Sequence, residues 1–220
     1  MSVCAERAVI ARLVPRYISN TEENMQPYQF AIDELAALKA HRAEFVLENE
    51  DNIDWDVQRR IRNPLEPLLL SDLQIQLRFR SKKKRLADFQ SARWTGTHLV
   101  SERFRALVEQ FEPRLHLFYP VEIRSQAGEL LPETHYLFKV GVRLENAYDE
   151  TRTAVGRVLV ERSHLDDKNH IFVWRRKVIE GHHLWSDARL YSNYFCSDAF
   201  RDAVVKERMK WLEWRADEVI

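Results

Sequence analysis

Histidines, carboxylates and one cysteine are the residues of this chain whose types could do chemistry. His164, His170, His182 and His183 fall within twenty residues, with Asp166 and Asp167 among them. Imidazole and carboxylate together form the donor set of zinc and iron centres. Their spacing matches no metal-ligand motif, and the adjacent pair His182 and His183 would point to opposite sides of an extended chain. They read as turn or surface histidines, and no metal is expected. Cys196 could serve as a nucleophile with His183 as its base. The chain has five glycines, and the closest two, Gly128 and Gly141, are thirteen positions apart. A phosphate cradle needs its glycines within one loop, so neither nucleotide fingerprint is present and no cofactor is expected. No serine sits in a G-x-S-x-G elbow. The expectation is a protein with no catalytic residues, not an enzyme.

What remains is binding chemistry, in two runs of opposite sign. Residues 44–56 carry Glu44, Glu48, Glu50, Asp51, Asp54 and Asp56 with no base, around Ile53 and Trp55. An aromatic anchor inside an acidic field is the composition of an interface for a basic partner. Glu48, Glu50, Asp51, Asp54, Trp55 and Asp56 are therefore the candidate partner-binding residues, against the plainer reading of a solvated loop. Residues 78–85 hold six bases in eight positions, beside Phe79. That run is the alternative site, for nucleic acid or phosphate. The plainer reading is a strand end whose charges protect a sheet edge.

The elements that must position these groups include a segment that occurs twice. Residues 98–123 and 194–219 align at an offset of 96, pairing Ser101 with Ser197, Phe104 with Phe200, Arg105 with Arg201, Val108 with Val204 and Glu122 with Glu218. The shared kernel is S-[DE]-x-F-R-x-x-V. Serine accepts from an otherwise unpaired N–H at a helix start, and an acid in the first turn suits the helix dipole. Ser101 and Ser197 are accordingly expected to be structural caps. Cys196 aligns with Val100, which favours a small buried hydrophobe over a nucleophile.

Elsewhere the periodicity predicts a helix over 28–45, a short helix and loop over 57–67, and strands at 73–80, 115–123, 135–144, 155–162 and 170–179. Val9 to Val14 is a further candidate strand. Residues 209–214 fit a helix face through Trp211 and Trp214, whereas the repeat predicts a strand there. The sum is an α+β fold with a mostly antiparallel sheet, interspersed helices and an internal helix–strand duplication. One domain over 1–220 is expected, with a candidate subdivision into 1–95 and 96–220.

With 34 basic and 34 acidic side chains, no global field draws the chain to nucleic acid or an anionic membrane. That neutrality also lowers colloidal repulsion, which leaves a homodimer open. Two cysteines form no disulfide framework, and charges at Glu6, Arg7 and Arg12 interrupt any signal-peptide core. A cytoplasmic protein with no membrane span is expected.

The segment IFVWRRKVIEGHHLWSDARLYSNYFCSDAFRDAV resembles a family of bacterial immunity proteins of polymorphic toxin systems, formerly a domain of unknown function. Ile179, Gly181, Leu184, Trp185, Ser197 and Asp198 stand in its motif positions, and Asp88, Phe89, Ser101 and Glu102 in its lead-in. The resemblance covers about residues 75–220 and carries no catalytic residues. It implies a soluble, non-enzymatic protein that neutralises a cognate toxin, encoded by a neighbouring gene, by binding it.

Overall fold

Side chains alternate across a strand, so a residue pattern of period two makes a sheet with two faces to cover. In this protein each of two large sheets has both faces covered. The computed structural model describes residues 25–32, 45–47, 55–62, 66–68, 76–79, 86–92, 97–153, 172–190, 194–209 and 212–220. The strands are β1 (Pro27–Ile32), β2 (Phe45–Leu47), β3 (Gln76–Phe79), β4 (Phe89–Ala92), β5 (Thr97–Ser101), β6 (Leu117–Arg124), β7 (His135–Lys139), β8 (Arg143–Leu144), β9 (Val173–Trp174), β10 (Leu184–Asp187), β11 (Tyr194–Ser197), β12 (Leu212–Ala216) and β13 (Glu218–Val219). The helices are α1 (Trp55–Arg62), α2 (Glu102–Phe111), α3 (Arg176–Ile179) and α4 (Asp198–Lys206). One sheet has the order β2-β3-β6-β7-β5-β4, another β12-β1-β11-β10-β8, and β13 pairs with β9. Pairing is antiparallel except at β3–β6, β10–β8 and β9–β13. The fold is α+β.

The two sheets are copies of one another, and the duplication runs well beyond the helix–strand repeat read from sequence. In the first half Val100 of β5 lies opposite Tyr136 of β7, and Pro120 of β6 lies opposite the same tyrosine. In the second half Cys196 of β11 lies opposite Tyr28 of β1, as does Ala216 of β12. On the other side, Phe89 of β4 faces Val100 and Leu184 of β10 faces Cys196. The parallel ladders also correspond: Leu77 pairs with Ile123, and Trp174 with Val219. Thus β3, β4, β5, α2 and β6 match β9, β10, β11, α4 and the pair β12–β13. The counterpart of β7, which follows β6 in the chain, is β1, which precedes everything else in its half.

Equivalent residues touch each other between the halves. Phe104 meets Phe200 with ring centroids 6.0 Å apart, and His98 meets Tyr194 at 4.8 Å. Such self-complementary contacts are those of a two-fold interface. The inner cluster contains Val100, Phe104, Val108, Cys196, Phe200 and Val204. The outer face of the first sheet is a second cluster around Leu77, Leu99, Tyr119 and Leu137. That of the second sheet is a third, around Phe172, Trp174, Trp185 and Phe195.

Several elements differ from the sequence expectation. Residues 28–32 form a strand, not a helix. Tyr28 and Phe30, two apart, both join the inner cluster while Gln29 turns to the other face, so the period is two where the apolar spacing also allowed a helix. The strand expected at 135–144 is interrupted around Gly141, where a Cβ would lie 1.8 Å from the carbonyl oxygen of Leu115. The strand expected at 170–179 ends at Trp174 and turns into α3. Residues 212–216 are strand, as the repeat predicted. The candidate strands at Val9–Val14 and 155–162 lie outside the described residues. The candidate boundary near 95 falls between β4 and β5, which pair from Phe89–Val100 to Ala92–Thr97.

Candidate partner-binding surface

The acidic run leads into α1, and α1 is pinned to the outer face of the six-stranded sheet. Lys139 at the end of β7 is only 1% exposed. Its ammonium donates to the carbonyl oxygens of Arg60 at 2.7 Å and Glu66 at 2.6 Å. A buried cation is tolerated only when its donors are met, and the Arg60 carbonyl, in the last turn of α1, is a matching acceptor. The N–H of Leu68 donates to the Tyr119 hydroxyl at 2.9 Å, and Leu68 and Val57 pack on the outer cluster. Helix α1 and residues 66–68 are thus held by polar anchors and apolar contacts together.

Of the candidate residues, Glu48, Glu50, Asp51 and Asp54 lie outside the described residues. Trp55 opens α1 and Asp56 stands in its first turn, exposed. Arg59 reaches Asp56 at 3.7 Å and Glu66 at 2.6 Å. These are surface pairs and contribute little to stability; they orient the helix face. Before and at the start of β6 the structure exposes two leucines, Leu115 and Leu117, at 51% and 37%. Leu117 is the cross-strand partner of Lys139, whose ammonium holds the carbonyl of Arg60. Sequence reasoning gave Lys139 no role at this surface and placed Leu115 and Leu117 only in the strand expected at 115–123. The only available signal was a lysine inside the apolar run HYLFKVGV.

In the basic run, Phe79 lies in β3, Arg78 is exposed there beside Arg124 of β6, and residues 80–85 lie outside the described residues.

The Ser197–His183 pair has the look of a nucleophile and base, with Nδ1 of His183 2.9 Å from the Ser197 hydroxyl. The duplicate shows what the pair does. Ser101 occupies the same place, accepting from the N–H of Phe104 at 3.2 Å and donating to the Asp88 carboxylate at 2.7 Å. Ser197 likewise accepts from the N–H of Phe200 at 3.2 Å. Both serines cap their helices, and His183 stands where Asp88 stands in the other half. Burial lowers the pKa of His183, which favours the neutral ring. Cys196 is fully buried and burial raises its thiol pKa well above the usual value, the opposite of what a nucleophile requires.

A second buried network holds the halves in place. The Glu112 carboxylate, 4% exposed, lies 2.6 Å from Nε2 of His116 and accepts from the N–H of His183 at 2.8 Å. Nδ1 of His116 accepts from the N–H of Gly141 at 3.2 Å, which places the ring proton on Nε2, facing Glu112. The network ties the end of α2 to the turn before β10. Of the four histidines first considered as ligands, His164 and His170 lie outside the described residues. Among the described residues no helix is long and apolar enough to cross a membrane.

The model of an immunity protein family, Imm11, matches residues 12–218, nearly the whole chain. The likeness first read over 75–220 therefore extends through the N-terminal third. No curated protein matches the chain.

Proposed function

This chain belongs to the Imm11 immunity protein family, and from that membership we propose that it neutralises one cognate toxin by binding and occluding it, without catalysis. The proposed toxin belongs to a polymorphic system and is encoded by a neighbouring gene. The single observation that carries the reading is the family match over 12–218. The binding surface we propose comprises the acidic run, with Glu48, Glu50, Asp51, Asp54, Trp55 and Asp56, together with α1. Support for it comes from the way Lys139 holds the backbone of Arg60 in α1 and of Glu66, and Tyr119 that of Leu68, on the sheet. A surface held rigid before contact loses less conformational entropy on binding. Opposite charge on the toxin would speed encounter and set specificity.

The test is co-expression with the product of the neighbouring open reading frame. Capture of that product in a stoichiometric complex, with rescue of its toxicity, supports neutralisation. Clean protein with no partner and no rescue removes it. Charge reversal across 48–56 is expected to weaken the complex at least tenfold at low salt, with the difference shrinking as salt screens it. Unchanged affinity would place the contact surface elsewhere while leaving neutralisation intact.

A further inference from the structure

The kernel S-[DE]-x-F-R-x-x-V carries an arginine that helix capping does not explain, and its two copies use that arginine differently. In the first copy Arg105 lies over the Tyr136 ring, 4.9 Å from the centroid. Its Nη1 donates to the Tyr136 hydroxyl at 2.9 Å and to the Glu102 carboxylate at 3.2 Å. The Tyr136 hydroxyl donates to the same Glu102 oxygen. One carboxylate oxygen thus sits between a guanidinium and a phenol.

In the second copy the cation and the ring recur, with Arg201 4.9 Å from the Tyr28 centroid. The acid of the kernel does not reach them. Asp198 is one methylene shorter than Glu102, and its carboxylate accepts from the N–H of Ala199 at 2.8 Å. Nε of Arg201 is buried and has no hydrogen-bond partner. Among the described residues the one ion pair of Arg201 runs to its neighbour Asp202 at 2.7 Å, and Asp202 is 66% exposed. Ala106 holds that position in the first copy. Tyr28, Asp198 and Arg201 are each part-exposed, so a group from outside the chain can reach them.

We propose that Arg201 and Tyr28 form a carboxylate-binding site, which takes an acidic side chain of the toxin in the place that Glu102 holds in the first copy. The proposal rests on the neutralisation reading for the identity of the partner.

The first copy shows which chemistry fits. A guanidinium has only protons to offer, a phenol beside it offers one more, and a carboxylate oxygen accepts both. An incoming acceptor also meets the buried Nε, whose unpaired state is costly. Two side chains at an open surface hold a free carboxylate weakly, as they do in surface ion pairs. An acid carried by a docked protein adds to a wider interface, and arginine and tyrosine are residues in which interface energy concentrates. Asp202 competes for the same guanidinium, but an exposed pair contributes little and yields to a better-placed acid.

The test reads each variant twice, as the thermal midpoint of the free full-length chain and as affinity for the co-expressed toxin. Asp198→Glu supplies within the chain the carboxylate that the first copy has. It should raise the midpoint and weaken toxin binding about tenfold. Tyr28→Phe should leave the midpoint unchanged and weaken binding to a similar extent. Tyr136→Phe, which breaks the closed triad, should instead lower the midpoint and leave binding unchanged. Asp202→Ala removes the competitor and should tighten the complex. Unchanged affinity in both Asp198→Glu and Tyr28→Phe overturns the site and leaves neutralisation standing. A midpoint that falls as far in Tyr28→Phe as in Tyr136→Phe shows that a carboxylate of this chain fills the site, and also overturns the proposal. So does acetate that saturates the Arg201 side-chain NMR shift at submillimolar concentration, since the site would then belong to a free small carboxylate. If the unaltered chain captures no toxin, neutralisation fails and this reading with it.

Discussion

Asp217 shows how far a single side chain can depart from its sequence surroundings. It is 2% exposed, between β12 and β13, in the place that Val121 holds in the other half. Its carboxylate accepts from the N–H of Phe172 at 3.1 Å and from the indole N–H of Trp174 at 3.0 Å. These bonds and Arg215 favour the charged form, but burial outweighs them and pushes the pKa up from 3.8 to about 7. With the folded value above the unfolded one, the native state holds a proton that the unfolded chain has lost. The contribution is therefore full below pH 4 and falls as pH rises through about 7. Denaturant titrations at pH 5 and pH 8 should show the wild type losing on the order of a few kcal/mol relative to Asp217→Asn. Parallel losses in the two proteins would show that Asp217 does not titrate in this range. Nothing local in the run WRADEV announced this. A carboxylate in a charged C-terminal stretch reads as solvated, and its burial comes from β9, more than forty residues away.

At the scale of elements, the helix starts were the most legible part of the chain. A serine, an acid and a phenylalanine at fixed offsets specify a cap, a dipole partner and a buried anchor, all within one turn. The two serines differ in surroundings: Ser197 is 3% exposed, and Ser101 is half-buried. Ser101→Ala is expected to cost about 1 kcal/mol, or about 2–4 °C in the thermal midpoint for a chain of this size. Ser197→Ala should cost more, because it also leaves His183 without its buried donor. Equal and negligible shifts in both variants would remove the capping role. Strand β1 was the least legible element. Its apolar residues satisfy periods of both two and three to four over so short a span, and only pairing with β11 and β12 selects the first. The acidic run was visible as composition, but the anchoring of α1 after it was not, since Lys139 lies more than seventy residues from the carbonyls it holds.

At the scale of the molecule, the duplication carries a permutation. In the first half β6 continues into β7 through the loop 125–134. In the second half the matching positions are Ile220 and Pro27, the end of the strand pair β12–β13 and the start of β1. The carbonyl of Pro27 already accepts from the N–H of Asp217 at 3.0 Å. A chain in which residues 25–32 are moved, behind a copy of residues 125–134, to follow Ile220 should therefore fold to the same arrangement, since strand ends that lie close together tolerate rejoining. Retained cooperative unfolding and a retained environment around Trp174 and Trp214 would be the expected readout. A molten or aggregated product would argue that the N-terminal placement of β1 is required.

The sequence by itself determined the local grammar: two capped helices with the same apolar stripe, the strand patterns at Leu77 and from Tyr119 to Ile123, the absence of a glycine-rich phosphate loop, and the family motifs. These are set by neighbours within a turn or a strand, where sequence distance and spatial distance agree. Tertiary structure alone decided that the repeat is a pair of whole sheets facing one another through Phe104 and Phe200. It decided that β1 completes the second sheet from the far end of the chain. It decided too that Lys139 and Asp217 are buried. Each of these depends on contacts between residues far apart in sequence, whose partners no local period specifies.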